Sequence, residues 1–251
     1  MNIIDKITRS IRTFKEILDN EWDVSSIPDL SNQEIERIYN IPSSKSKSIT
    51  QFGIASGCNF TVRHKHIPDH HLHIIYYNFP EVGKVSSKVT KSSCDKIKAL
   101  YINELIKPFD SIIVVINDTI SHSLETSFQE LNINLQNEIE HINLDKSIIK
   151  KMKDNNFPLE KKHFRNVTLL SIDSITNNLF KHRLVPKHTV IRSRKEIQNI
   201  IQKLNVGLEQ LPIILKNDAI AKQLLMVNGD ICEITRSSMK SGEYNFYRIC
   251  Q

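Results

Sequence analysis

Five consecutive residues, Ile112-Ile113-Val114-Val115-Ile116, are apolar and β-branched. A strand with one wet face alternates apolar and polar residues, so this unbroken run reads as a strand buried on both faces. Such strands sit in parallel sheets flanked by helices. Residues 93–107 precede the run with Ile97, Leu100, Tyr101 and Leu105 at helical spacing, and Pro108-Phe109-Asp110 ends that helix. Further upstream, Leu72-His73-Ile74-Ile75-Tyr76-Tyr77 reads as a strand. Strand, helix and strand in that order imply a parallel pair joined by a right-handed crossover. The N-terminal part is therefore expected to be α/β.

Ile4, Ile7, Ile11, Phe14 and Leu18 fall on one stripe of a helix over residues 3–20, with Arg9 and Arg12 off that stripe. Ser25–Asp29 is a break, Leu30–Glu34 starts a second short helix, and Pro42–Ser48 is a polar loop. Thr61-Val62-Arg63 and Arg165–Leu170 read as strands. Residues 125–165 show no sustained period, and helical pieces are expected around 135–153. The longest apolar run is far too short to cross a bilayer, so a soluble protein without a membrane partner is expected.

The side chains that usually carry chemistry do not assemble into a motif. His64, His66, His70, His71 and His73 are clustered, but no nearby Cys completes a zinc pattern, and a surface or hairpin-loop cluster outweighs a metal site. Cys58, Cys94, Cys232 and Cys250 include no CxxC pair and read as reduced thiols of an intracellular compartment. No phosphate-binding glycine loop and no G-x-S-x-G elbow is present. The nearest catalytic candidate is a metal-dependent nuclease built on Asp69 and Glu81. Its lysine should stand two residues after Glu81, where Gly83 stands, and Lys84 would point to the opposite face of a strand. No catalytic residue, metal, cofactor or small-molecule substrate is expected.

The basic excess is confined to one end. Residues 176–251 hold 12 Lys and Arg against 6 Asp and Glu, whereas residues 1–175 hold 22 of each, so the net charge of +6 lies in the C-terminal part. Such asymmetry points to a polyanion or an acidic protein surface. Here Ser193-Arg194-Lys195-Glu196 reads as a capping box before a helix striped by Ile197, Ile200, Ile201 and Leu204. Asp218 is placed to cap a helix over 219–225, and Asn228-Gly229-Asp230 is a tight turn. Ile231–Thr235 and Tyr244–Ile249 form two strands joined through Gly242, giving a small α+β unit with an antiparallel sheet. Pro186 and Pro212 each fix a bend or a sheet edge.

The order His182-Arg183-Leu184-Val185-Pro186-Lys187-His188, Gln210-Leu211-Pro212, Asp218, Asn228-Gly229-Asp230, Arg236-Ser237-Ser238 and Tyr244–Arg248 resembles the assembly domain of the subunit 5 family of eukaryotic-type DNA-directed RNA polymerases, a family with archaeal members. The resemblance is close over the last third. It is weaker before that, where Arg9, Arg12, Thr13, Leu18 and Trp22 are similar to the family's opening helix. It departs at Ala219, where the family has Pro, and at Lys222, Gln223, Asn228, Lys240 and Glu243.

The resemblance implies a nuclease-like jaw domain over residues 1–175, with an insertion over 125–165, and a polymerase assembly domain over 176–251. It implies a non-catalytic subunit that anchors on the largest polymerase subunit and helps form the jaw around downstream double-stranded DNA. Pro186, His188, Gln210, Leu211, Pro212, Gly229, Arg236, Tyr247 and Arg248 match the family pattern and are the expected partner-binding residues. Arg9 and Arg12 are the expected DNA-proximal ones. A nuclear location follows, or host cytoplasm and virion if sequence drift reflects a copy carried by a large DNA virus. The alternative is a nuclease-fold nucleic-acid-binding protein working outside a polymerase.

Overall fold

A computed structural model describes residues 2–41, 52–81, 84, 88–144, 146–152, 159–238, 240 and 242–251. The loop expected at Pro42–Ser48 and the Gly83 position lie outside these. The chain divides into two compact units, residues 1–142 with 164–177 and residues 143–163 with 178–251. The second unit therefore takes in part of the stretch expected to be an insertion in the first.

The first unit opens with α1 (Ile3–Leu18), whose stripe Ile4, Ile7, Ile11, Phe14 and Leu18 is buried. The two-residue β1 (Trp22–Asp23) and α2 (Asn32–Tyr39) follow. A true capping box starts α2: the Ser31 hydroxyl accepts from the Glu34 amide, and the Glu34 carboxylate accepts from the Ser31 amide. Then come β2 (Phe60–His64), β3 (His71–Tyr77), α3 (Ser92–Ile102), β4 (Ser111–Ile116) and α4 (His122–Ile139). After α5 (Lys146–Met152), which belongs to the second unit, β5 (Val167–Ser171) and α6 (Ile172–Ile175) complete the first.

The sheet order is β1-β2-β3-β4-β5. The first three strands pair antiparallel, and β3-β4 and β4-β5 pair in parallel. Every residue of β4 is buried, as its composition requires. One face, carrying Ile75, Tyr77, Ile112, Val114 and Ile116, packs on α3 and α4. The opposite face presents Tyr76, whose hydroxyl lies 2.8 Å from Ser10 Oγ of α1. Residues 122–139 are thus the crossover helix between β4 and β5, with Leu124, Phe128, Leu131 and Leu135 in the core. They are an integral layer of the unit, although no period was read from residue 125 on; the helical pieces expected around 135–153 are the end of α4 and α5.

The histidine cluster lies on the β2-β3 hairpin, one of the two placements expected, but most of it is buried rather than at the surface. His64, His70 and His73 lie in the interior and only His66 is exposed. Trp22 packs edge-on against His64 and His70. Asp110 gathers the others, accepting from the His71 amide at 2.9 Å and from His73 Nε2 at 3.1 Å, with His71 Nδ1 3.4 Å away. His73 Nδ1 lies 2.9 Å from Thr61 Oγ1. Burial would raise the Asp110 carboxyl, but the bonds from His71 and His73 outweigh it and hold the pKa at about 2.

The second unit holds β6 (Lys187–Ile191), α7 (Arg194–Leu204), β7 (Ile213–Ile214), α8 (Ala219–Gln223), β8 (Ile231–Ser238) and β9 (Gly242–Cys250). The sheet order is β6-β8-β9-β7. It is mixed, not purely antiparallel, because β7 runs parallel to β9. One face packs Cys232, Ile234 and Cys250 with Ala221 of α8 and Met226; the other packs Ile231 and Ile249 with Leu211 and Ile197 of α7. Ser193 is the N-cap of α7, but its side chain makes no capping bond, so the expected box is not formed. No residue of α7 is fully buried, and its apolar stripe is half covered.

Candidate partner-binding site

The nine residues expected to bind a partner fall in the second unit, around one sheet. Pro186 precedes β6, a sheet edge where its missing amide leaves no ladder bond unmade. Its carbonyl accepts from His188 Nδ1 at 2.7 Å, which fixes the tautomer with the proton on Nδ1. Burial pulls the His188 imidazole below its ordinary value; Arg236 and Arg248 push the same way, against the Pro186 bond and Asp218.

At the other edge, Pro212 precedes β7, and its carbonyl accepts the Ile249 amide at 2.9 Å. Arg248 Nη1 donates to the Ile213 carbonyl at 2.9 Å, tying β9 to β7 through a side chain. Between the edges, the guanidiniums of Arg236 and Arg248 lie 5.3 and 5.4 Å from the centre of the Phe246 ring. Tyr247 donates its hydroxyl to Glu233 Oε1 at 2.9 Å.

The remaining three residues serve the unit's own shape. Leu211 is buried beside Ile231 and Ile249, so its side chain is core rather than surface. Gln210 accepts the Gly207 amide at 2.9 Å, closing a 3₁₀ turn over Leu208–Gln210. Gly229 has φ of 87°, the left-handed region that the turn after Asn228 demands. Of the nine, Pro186, His188, Gln210, Pro212, Gly229, Arg236, Tyr247 and Arg248 are at least partly exposed, and the exposed Leu184, Ile213 and Leu215 lie in the same unit. Periodicity did not mark these last three; the outward alternation of Ile213 and Leu215 about buried Ile214 is the signal that could have.

A second buried group escaped sequence reasoning. Asp230, fully buried, accepts from His163 Nε2 at 2.8 Å, Arg192 Nε at 3.2 Å and the Val227 amide at 3.0 Å. Burial would raise its carboxyl, but these donors hold it below the usual carboxylate range. Arg192 also donates to the carbonyls of Leu224 and Leu225.

In the first unit, Arg9 and Arg12 are exposed on α1, opposite its buried stripe. Asp69 and Glu81 stand beyond opposite ends of β3, a seven-residue strand. At roughly 3.3 Å per residue that is about 20 Å, too far for two carboxylates to hold one metal ion. Lys84 pairs with Glu81 on the surface. Among the described residues no group of three or more His, Cys, Asp or Glu is placed to hold a metal ion, and no helix is long and apolar enough to cross a membrane.

Residues 177–250 match the family model for the C-terminal domain of RNA polymerase Rpb5. The chain is 47% identical over 68 residues to the DNA-directed RNA polymerase subunit Rpo5 of Archaeoglobus fulgidus, covering 27% of this chain and 88% of that one. It is 40% identical over 72 residues to the Rpo5 subunits of Methanosphaera stadtmanae and Pyrococcus abyssi, covering 29% of this chain in each case and 92% and 87% of theirs. The sheet framed by Pro186 and Pro212 lies within the residues the family model matches, and the chain belongs to the RNA polymerase subunit 5 family.

Proposed function

We propose that this chain is a non-catalytic subunit of a multisubunit DNA-directed RNA polymerase. Its second unit anchors on the largest subunit, and its first unit contributes a nuclease-like α/β jaw beside downstream duplex DNA. The observation that carries this is the match of the family's C-terminal domain to residues 177–250, which here hold the whole second sheet. Around that sheet the family-patterned Pro186, His188, Pro212, Arg236, Tyr247 and Arg248 remain at least partly exposed. On α1, Arg9 and Arg12 suit phosphate contact by exposure and charge. The wide separation of Asp69 and Glu81 speaks against cleavage by the jaw itself.

Reconstitution tests this. Polymerase assembled without the chain should still join nucleotides but release the downstream duplex sooner as salt is raised, and adding the chain should restore its hold. Mg²⁺-dependent cleavage of DNA by the isolated chain would support the nuclease alternative instead.

A further inference from the structure

Three side chains of the first unit form a line from interior to surface. The Asp110 side chain is 2% exposed, that of His73 10%, and Thr61 is half-buried. The register of β2 against β3 sets Thr61 directly opposite His73. Alternation along β2 buries Val62 and His64 and leaves Thr61 and the exposed Arg63 on the other face.

The contacts along this line have a direction. His73 Nε2 lies 3.1 Å from Asp110 Oδ2, and its Nδ1 lies 2.9 Å from Thr61 Oγ1. The Asp110 carboxylate is ionised and can only accept, so a neutral His73 ring carries its proton on Nε2. Its Nδ1 then turns a lone pair toward the hydroxyl, and Thr61 donates to it. A hydroxyl, an imidazole able to take its proton and a carboxylate that holds the ring are the parts of an activated alcohol nucleophile. Thr126, exposed on α4, shows the contrast: its hydroxyl donates to the His122 carbonyl, which is no base. Base assistance alone suits a carbonyl already activated by a leaving group that departs readily.

We propose that Thr61 is a modification site that accepts an acyl group from an activated ester of the thioester or aryl-ester class. Thr61 Oγ1 attacks the acyl carbon as its proton passes to His73 Nδ1. The bond from that carbon to sulfur, or to the aryl oxygen, then breaks. The departing thiolate or phenolate takes the proton from Nδ1, leaving an ester on Thr61 and a neutral His73. Thr61 lies outside residues 177–250, so this chemistry is independent of the anchoring role.

The test treats the full chain with p-nitrophenyl acetate and follows acetyl esters on Thr61 and Thr126 by peptide mass spectrometry. Thr61 should be acetylated about a hundredfold faster than Thr126, and hydroxylamine should release the ester. Thr61→Ser should keep that rate within a few-fold. His73→Gln should bring the Thr61 rate down to that of Thr126, with unchanged fluorescence of Trp22 showing that the first unit still folds. If His73→Gln does not fold, the comparison of the two threonines in the unaltered chain decides alone. Equal rates at Thr61 and Thr126 in the unaltered chain, or an undiminished Thr61 rate in a folded His73→Gln, would overturn the assignment.

Discussion

His163 donates its Nε2 proton to Asp230 across 67 positions of sequence, at 2.8 Å, with both side chains buried. The Glu160 amide donates to His163 Nδ1 at 2.8 Å, which leaves the proton of a neutral ring on Nε2, facing the carboxylate. Residues 159–163 are thereby pinned to the turn that starts β8. Lys162 adds a bond to the Asn228 carbonyl at 3.0 Å. Residues before β5 thus help to build a unit whose sheet lies entirely after residue 186.

His163→Ala should cost the second unit about 1–3 kcal/mol, because Asp230 loses a donor while staying buried. Hydrogen exchange reads this locally. Amide protection at Val227 and along β8 should fall while that of β4 is unchanged. Equal protection at β8 in both proteins would mean that the bond contributes nothing to the unit's stability.

The Asp110 carboxylate makes the first unit sensitive to acid. Its pKa lies at about 2 in the fold against 3.8 for the free group. The stabilisation is therefore complete above about pH 4 and lost as pH falls toward 2, since protonation removes the acceptor of His71 and His73. The shift corresponds to about 2 kcal/mol. Asp110→Asn should cost about that much at neutral pH and flatten the acid limb of stability. Fluorescence of Trp22, the single tryptophan, follows the first unit. Parallel acid curves for variant and parent would contradict the assignment.

The parts of the fold that were legible in sequence are those where burial and residue type agree. Five β-branched residues announced β4, and the stripe from Ile4 to Leu18 announced α1. The helix α4 was hidden because polar residues also face inward. Asn132 is buried, with its amide nitrogen donating to the Val167 carbonyl and its oxygen accepting the Val167 amide at 2.7 Å. Such a residue satisfies the end of β5 but breaks the apolar period by which a helix is recognised. The histidines misled for the same reason, since His64, His70 and His73 occupy interior positions that an alternation of apolar types would have marked. The motif at Ser193–Glu196 misled in the opposite sense: the letters of a capping box are present without the bonds. For the candidate site, the order of prolines, glycine and arginines was readable from the family pattern. Which of them face outward was not, because the exposure of Pro186 and Pro212 follows from the strand order that puts β6 and β7 at the two edges.

Arg9 and Arg12 give the DNA side of the account a quantitative test. If both contact phosphates, Arg9→Ala with Arg12→Ala should weaken the hold of assembled polymerase on downstream duplex. The slope of log affinity against log salt should become shallower by about 2. Because both side chains are exposed and lie off the buried stripe, the stability of the first unit should be unchanged. An unaltered salt slope would remove α1 from the DNA path.

Whether this chain is a stoichiometric part of a polymerase is read by quantitative mass spectrometry of polymerase captured through its largest subunit. This chain is expected at one copy per largest subunit, retained through high-salt washing. Its absence from that complex, or its presence only in trace amounts, would show that it is not a polymerase subunit.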